Sequence, residues 1–145
     1  MTKRRIANEG RLRDLVGVAK GLAHPARLRL IGILATGELC VCQMTSVLEL
    51  APSTVSQHLS VLARSGLVTE RKEGKLVFYR LRDEGAAGPL LAPLLLLLGD
   101  EPTAKADRVL VARLRRIPVS TLCAADLDLV AIGVRKESSQ AAVPA

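Results

Sequence analysis

The sequence predicts a mainly α-helical chain of α+β class that carries one small β-hairpin, and two observations predict it. Apolar residues recur at helical spacing over most of the chain, while the single stretch 68–81 switches to a β-rich pattern centred on a breaker. Length is consistent with this: 145 residues, 49% of them apolar, suffice for one unit of ordinary size with a buried core.

From Arg11 to Leu22, the residues Leu12, Leu15, Val16, Ala19 and Leu22 line one face of a first amphipathic helix. His24-Pro25 breaks it, and Pro25 opens a second helix with Leu28, Ile31 and Leu34 inward and Gly37 closing it. His24, immediately before that helix, suits a local capping role better than that of a ligand. A third helix is expected to hold Cys40, Cys42, Val47 and Leu48. After a turn at Ala51-Pro52-Ser53 a fourth begins, capped by Ser53 or Thr54, with Val55, Leu59 and Leu62 inward and Gly66 ending it. Val68 to Leu81 reads as two strands joined at Glu73-Gly74. Gly85 to Gly88 is a breaker-rich link, and Pro89 or Pro93 falls in the first turn of a leucine-rich helix. A last helix is expected from near Pro102 to Arg116, stopped by Ile117-Pro118, and the small, polar residues beyond about Val134 are expected to fray. The sequence contains no internal repeat.

Helix, turn, helix and basic hairpin in this order make a winged helix-turn-helix, a motif whose second helix enters the major groove of duplex DNA. The exposed face of that helix would carry Ser53, Thr54, Ser56, Gln57, His58 and Ser60, whose hydroxyl, amide and imidazole groups suit base edges and phosphates. Arg71, Lys72 and Lys75 cluster near the hairpin tip, where they could follow the adjacent phosphates. The charge distribution agrees. The chain has 21 Lys and Arg against 14 Asp and Glu, a net charge of +7, and residues 1–82 hold 14 of the basic groups but only 6 of the acidic ones. Phe78 and Tyr79 are the only aromatic residues, too few for single-strand binding by stacked rings.

Two of the three cysteines, Cys40 and Cys42, stand one residue apart just ahead of the DNA-reading motif. On an ideal helix such positions project roughly 200° apart, so one soft ion gripped by both sulfurs would distort the helix and could act as a switch. Burial as ordinary core cysteines is the alternative, and a thiol-oxidation switch closing Cys40 onto Cys42 or Cys123 is another. Cys123 lies between Leu122 and Ala124, where an apolar thiol and a ligand are both plausible readings. No spacing matches a disulfide framework or a zinc finger.

The blocks Gly21-Leu22-Ala23-His24-Pro25-Ala26-Arg27-Leu28-Arg29-Leu30, Gly37-Glu38-Leu39-Cys40-Val41-Cys42, Ser53-Thr54-Val55-Ser56-Gln57-His58-Leu59 and Arg71-Lys72-Glu73-Gly74-Lys75 occur in one order. Together, from Lys20 to Leu81, they resemble the ArsR/SmtB family of metal- and metalloid-responsive repressors. The resemblance implies a homodimer on double-stranded operator DNA that dissociates when an ion binds. It further implies that Cys40-Val41-Cys42 is like the arsenite-sensing segment of the arsenical-resistance members. Two positions depart from that pattern: Gln43 stands where an acidic residue is common, and Thr45 where some arsenic sensors carry a third cysteine. Cys123 is then the remaining candidate for a third thiolate. Cadmium and lead sensors of the family add cysteines from an N-terminal extension, and residues 1–39 contain none; zinc sensors use His and carboxylates on the dimer helix, and residues 89–99 contain neither.

The resulting expectation is an arsenite- or antimonite-responsive transcriptional repressor. Its metalloid ligands would be Cys40, Cys42 and Cys123, with arsenic(III) or antimony(III) as inducer and no resident cofactor. Repressors of the family responsive to cadmium, lead or zinc, and a thiol-redox regulator, are the alternatives. Residues 1–82 would form the DNA-binding core, 83–118 the dimerisation helices and 119–145 an extension carrying Cys123. The sequence has no phosphate loop, nucleophile elbow or acidic metal cluster, so catalysis is not expected. It opens without a secretory signal, which points to the cytoplasm, where thiols stay reduced. The Leu94 to Leu98 run is too short to span a bilayer, so neither a membrane nor a protein partner beyond a second copy is expected.

Overall fold

The computed structural model describes residues 2–124. Seven helices and three strands follow in the order α1 (Thr2–Leu22), α2 (Pro25–Leu34), β1 (Leu39–Cys40), α3 (Val41–Leu48), α4 (Pro52–Arg64), β2 (Val68–Glu73), β3 (Leu76–Leu81), α5 (Gly88–Gly99), α6 (Pro102–Leu114) and α7 (Val119–Ala124). A short 3-10 turn, Gly85–Ala87, precedes α5. The strands form one antiparallel sheet in the order β1-β3-β2. Mainly helical with a small sheet, this is the winged helix-turn-helix that the residue pattern predicts.

Local chemistry explains most boundaries. Pro25, Pro52 and Pro102 open α2, α4 and α6, where the missing N–H costs nothing. His24 caps α2, its Nδ1 accepting from the Ala26 N–H at 3.0 Å. In the hairpin Glu73 pairs with Leu76, and Gly74 takes φ +59 at the first position of the two-residue turn, a value a residue with a side chain resists.

Several boundaries differ from expectation, beginning with α1, which starts at Thr2 and not at Arg11. The cysteine segment is not wholly helical: Leu39 and Cys40 are extended and pair with Tyr79 and Phe78 of β3, so α3 starts at Val41 with Cys40 as its N-cap. Cys40 and Cys42 therefore do not sit on opposite sides of one helix, because a strand-to-helix junction separates them. The cap of α4 is Ala51, not Ser53 or Thr54, with no side-chain hydrogen bond, since Pro52 already occupies the first turn. The apolar segment around Cys123 forms a helix of its own, α7. The extension beyond Ala124, including the expected fraying past Val134, lies outside the described residues.

The core is built from Leu30, Ile31 and Ile33 of α2, Met44 and Val47 of α3, Leu59 and Leu62 of α4, Leu67, Leu114 of α6 and Leu122 of α7. A charged clamp ties its far side together. Arg29 of α2 donates two bonds of 2.8 Å to the buried Asp107 of α6 and a third, of 3.3 Å, to the Val47 carbonyl of α3. Among the described residues no helix is long and apolar enough to cross a membrane.

Candidate functional site

The strand-to-helix junction brings three thiols together. Cys40 ends β1, Cys42 lies in the first turn of α3, and Cys123 comes from α7, yet their sulfur atoms all lie within 4.8 Å of one another. Cys42 and Cys123 are joined as a disulfide with a Cα–Cα distance of 5.7 Å, while Cys40, the expected member of any oxidised pair, is free and buried. The fully buried Leu122 anchors α7 in the core and so holds Cys123 beside α3.

Gln43 explains one departure from the family pattern. Its Oε1 accepts the Cys40 N–H at 2.8 Å, closing the turn at the helix entrance. An amide makes this bond without adding a buried negative charge beside the thiols. Thr45, one helical turn beyond Cys42, is buried with its Oγ1 lacking a hydrogen-bond partner among the described residues.

The helix proposed to read DNA is α4. Ser53, Ser56, Gln57 and Ser60 are exposed along it, Thr54 and His58 half-buried, and Val55, Leu59 and Leu62 face the core. His58 is turned toward the α1–α2 corner. Its ring lies 4.3 Å from that of His24, and its Nδ1 accepts from Arg27 Nη1 at 3.3 Å, which assigns the N–H of the neutral ring to Nε2. Arg27 is itself fixed by the carbonyls of Gly21 and Lys20. Burial, reinforced by the nearby charges of His24 and Arg27, holds the His58 imidazole below its ordinary pKa.

On the wing, Lys72 and Lys75 are exposed and form no ion pair among the described residues. Arg71 is also exposed but engaged: Nη2 reaches Glu38 at 2.6 Å, Nε reaches the same carboxylate at 3.3 Å, and Nη1 reaches Glu73 at 2.8 Å. Its guanidinium lies 4.6 Å from the Phe78 ring centre. The bonds from Arg71 hold the Glu38 carboxyl below the usual carboxylate range. Burial, and the bond to Glu70, push the neighbouring Tyr79 hydroxyl up to about 12.

Residue patterns did not single out Glu38, Arg115 or the Arg29–Asp107 clamp. Arg115, at the end of α6, donates to the Glu38 carbonyl at 3.2 Å and to Thr36 Oγ1 at 3.1 Å. These partners lie between 33 and 79 positions apart in the chain, so periodicity carries no signal for them.

The profile of the bacterial regulatory protein family named arsR matches residues 24–70, from the cap of α2 into β2. The chain is 43% identical over 81 residues to a biofilm growth-associated repressor of Agrobacterium fabrum, an overlap of 56% of this chain and 69% of that protein. It is 39% identical over 79 residues to an arsenic resistance transcriptional regulator of Pseudomonas putida, covering 52% of this chain and 62% of that one. Among solved structures, reduced HlyU from Vibrio cholerae matches with a TM-score of 0.55 at 36% identity, over 63% of this chain and 95% of its own. With its winged helix-turn-helix and these relatives, the chain belongs to the ArsR family of bacterial transcriptional regulators.

Proposed function

We propose that this regulator is a repressor that leaves its operator when arsenic(III) or antimony(III) is captured by Cys40, Cys42 and Cys123. The observation that supports it most is the convergence of three sulfur atoms, from a strand end and two helices, within 4.8 Å. Trivalent arsenic is thiophilic and favours a pyramid of three thiolates. Capture of arsenous acid by the reduced site is balanced: three S–H bonds and three As–O bonds break, three As–S bonds form, and three waters leave. The third sulfur comes from α7, so Cys123 takes the role that Thr45 cannot fill. The similarity to an arsenic resistance regulator supports the same ligand.

In this reading residues 1–82 hold the DNA-reading surface, with Ser53, Thr54, Ser56, Gln57, His58, Ser60, Arg71, Lys72 and Lys75 toward the duplex. Residues 83–118 pair two copies, and residues 119–145 supply Cys123. Leu96 and Leu97 of α5 are 78% and 75% exposed and Leu12 of α1 is 65% exposed, a large apolar area that a second copy would cover.

The Cys42–Cys123 disulfide supports a second reading, in which oxidation itself is the signal. A peroxide would take two electrons and two protons from these thiols, forming the S–S bond and two waters per hydrogen peroxide. The two readings separate in a pair of titrations. Fluorescence anisotropy of an operator duplex is followed first with protein kept reduced by a phosphine, which does not chelate arsenic, and then with reduced protein from which the phosphine has been removed. Release by arsenite in the first supports the metalloid reading; release by peroxide in the second, with arsenite inert in both, supports the redox reading.

A further inference from the structure

Glu38 occupies a junction that links the thiol site to the wing. Gly37 takes φ +124, turning the chain sharply so that Glu38 stands immediately before β1, two residues ahead of Cys40. From there its carbonyl accepts from Arg115, which precedes the helix carrying Cys123, while its carboxylate reaches across to Arg71 on β2. Arg71 is paired across the hairpin with Phe78, over whose ring it lies, and Phe78 is paired with Cys40. The path from Cys40 to Phe78, Arg71, Glu38 and back is therefore closed by backbone pairing and one ion pair.

All three guanidinium nitrogens of Arg71 are committed to carboxylates, those of Glu38 and Glu73. Three of its five N–H donors are thus engaged and two carboxylates offset its charge, so Arg71 offers a phosphate less than an unpaired arginine does. A phosphate that takes the Nε–Nη2 edge of Arg71 must displace Glu38.

We propose that Glu38 competes with an operator phosphate for Arg71, and so acts as a positioning residue through which closure of the thiol site withdraws the wing from DNA. In the state described here Cys42 and Cys123 are joined and Arg71 is paired with Glu38. Binding linkage makes the effect reciprocal: a phosphate on Arg71 weakens the hold of Glu38 on the wing, and closure of the thiol site weakens the hold of the phosphate. The arsenite part of this proposal rests on the reading of Cys40, Cys42 and Cys123 as the inducer site; the competition for Arg71 does not.

The test uses the full chain, kept reduced, as parent, Glu38→Gln, Arg71→Ala and the double variant. Operator affinity is measured by anisotropy over a range of salt, with and without arsenite, and arsenite binding is read separately from the ultraviolet absorbance of the arsenic-thiolate bonds. Glu38→Gln should bind operator about three- to tenfold more tightly at low salt. It should also steepen the log-log salt dependence by about one unit, as one more phosphate contact requires. Arsenite should bind this variant as it binds the parent but release less DNA. In the Arg71→Ala background Glu38→Gln should change nothing, which separates competition for Arg71 from mere removal of a negative charge near DNA. Parent-like affinity and slope in Glu38→Gln would overturn the proposal. So would weaker binding at unchanged slope, or a gain that persists without Arg71. If the parent neither binds arsenite nor releases DNA to it, the inducer reading fails, and the salt slopes still decide whether Glu38 restrains Arg71.

Discussion

Replacing Asp107 with alanine removes the acidic half of the clamp that joins α2, α3 and α6. The Asp107 side chain is 6% exposed and accepts two charged bonds of 2.8 Å from Arg29, whose own side chain remains 29% exposed. Breaking a fully buried pair costs about 3–5 kcal/mol. Because water reaches part of the stranded guanidinium, and its bond to the Val47 carbonyl survives, about 2–3 kcal/mol is expected here. With m of about 1.5–2 kcal/mol/M, the urea midpoint should fall by about 1–2 M. Asp107→Asn keeps one acceptor and should lose less. Loosened α6 should also seat α7 less firmly, so the same variant should need more arsenite to release DNA. A change below about 0.5 kcal/mol, the level of an ordinary surface substitution, would refute the view of this pair as a clamp.

Thr45→Val removes a buried hydroxyl with no partner among the described residues and should raise unfolding free energy by about 1 kcal/mol in chemical denaturation; a loss of stability would mean that the hydroxyl has work to do. Leu97→Glu should give monomers in sedimentation and weak operator binding, whereas an unchanged dimer would assign α5 another role. Because the folded chain holds His58 below 6.5, the unfolded chain takes up this proton first. Stability from this group is complete above that pH and declines as pH falls toward the folded value, so His58→Gln should flatten the acid side of a thermal-stability profile. An equally steep profile in the variant would place the titration elsewhere. Gln57→Ala should relax sequence preference, while Lys75→Ala should weaken all duplexes alike and flatten the salt slope by about one unit.

Helix periodicity, prolines at helix starts and the Gly74 turn were legible because each acts through neighbours in the chain. The order of α2, α3, α4 and hairpin followed from them, as did the exposed row of Ser53, Ser56, Gln57 and Ser60. What stayed hidden depends on distant partners. Leu39 and Cys40 are extended because β3 offers them pairing 38 to 40 positions downstream, and no two-residue strand can announce itself by alternation. The nearness of Cys123 to Cys42 depends on Leu122 entering a core built largely by elements far earlier in the chain, α2, α3 and α4 among them. Arg71 looks like a free phosphate ligand in the sequence, and only the fold reveals that Glu38 already holds it.

The three-thiolate site is tested most directly by the arsenic coordination number from X-ray absorption of the reduced, arsenite-loaded protein. Three sulfurs around arsenic in the parent, and two in each of Cys40→Ser, Cys42→Ser and Cys123→Ser, are expected. Two sulfurs in the parent and an unchanged spectrum in Cys123→Ser would contradict it, leaving Cys123 as a partner for oxidation only.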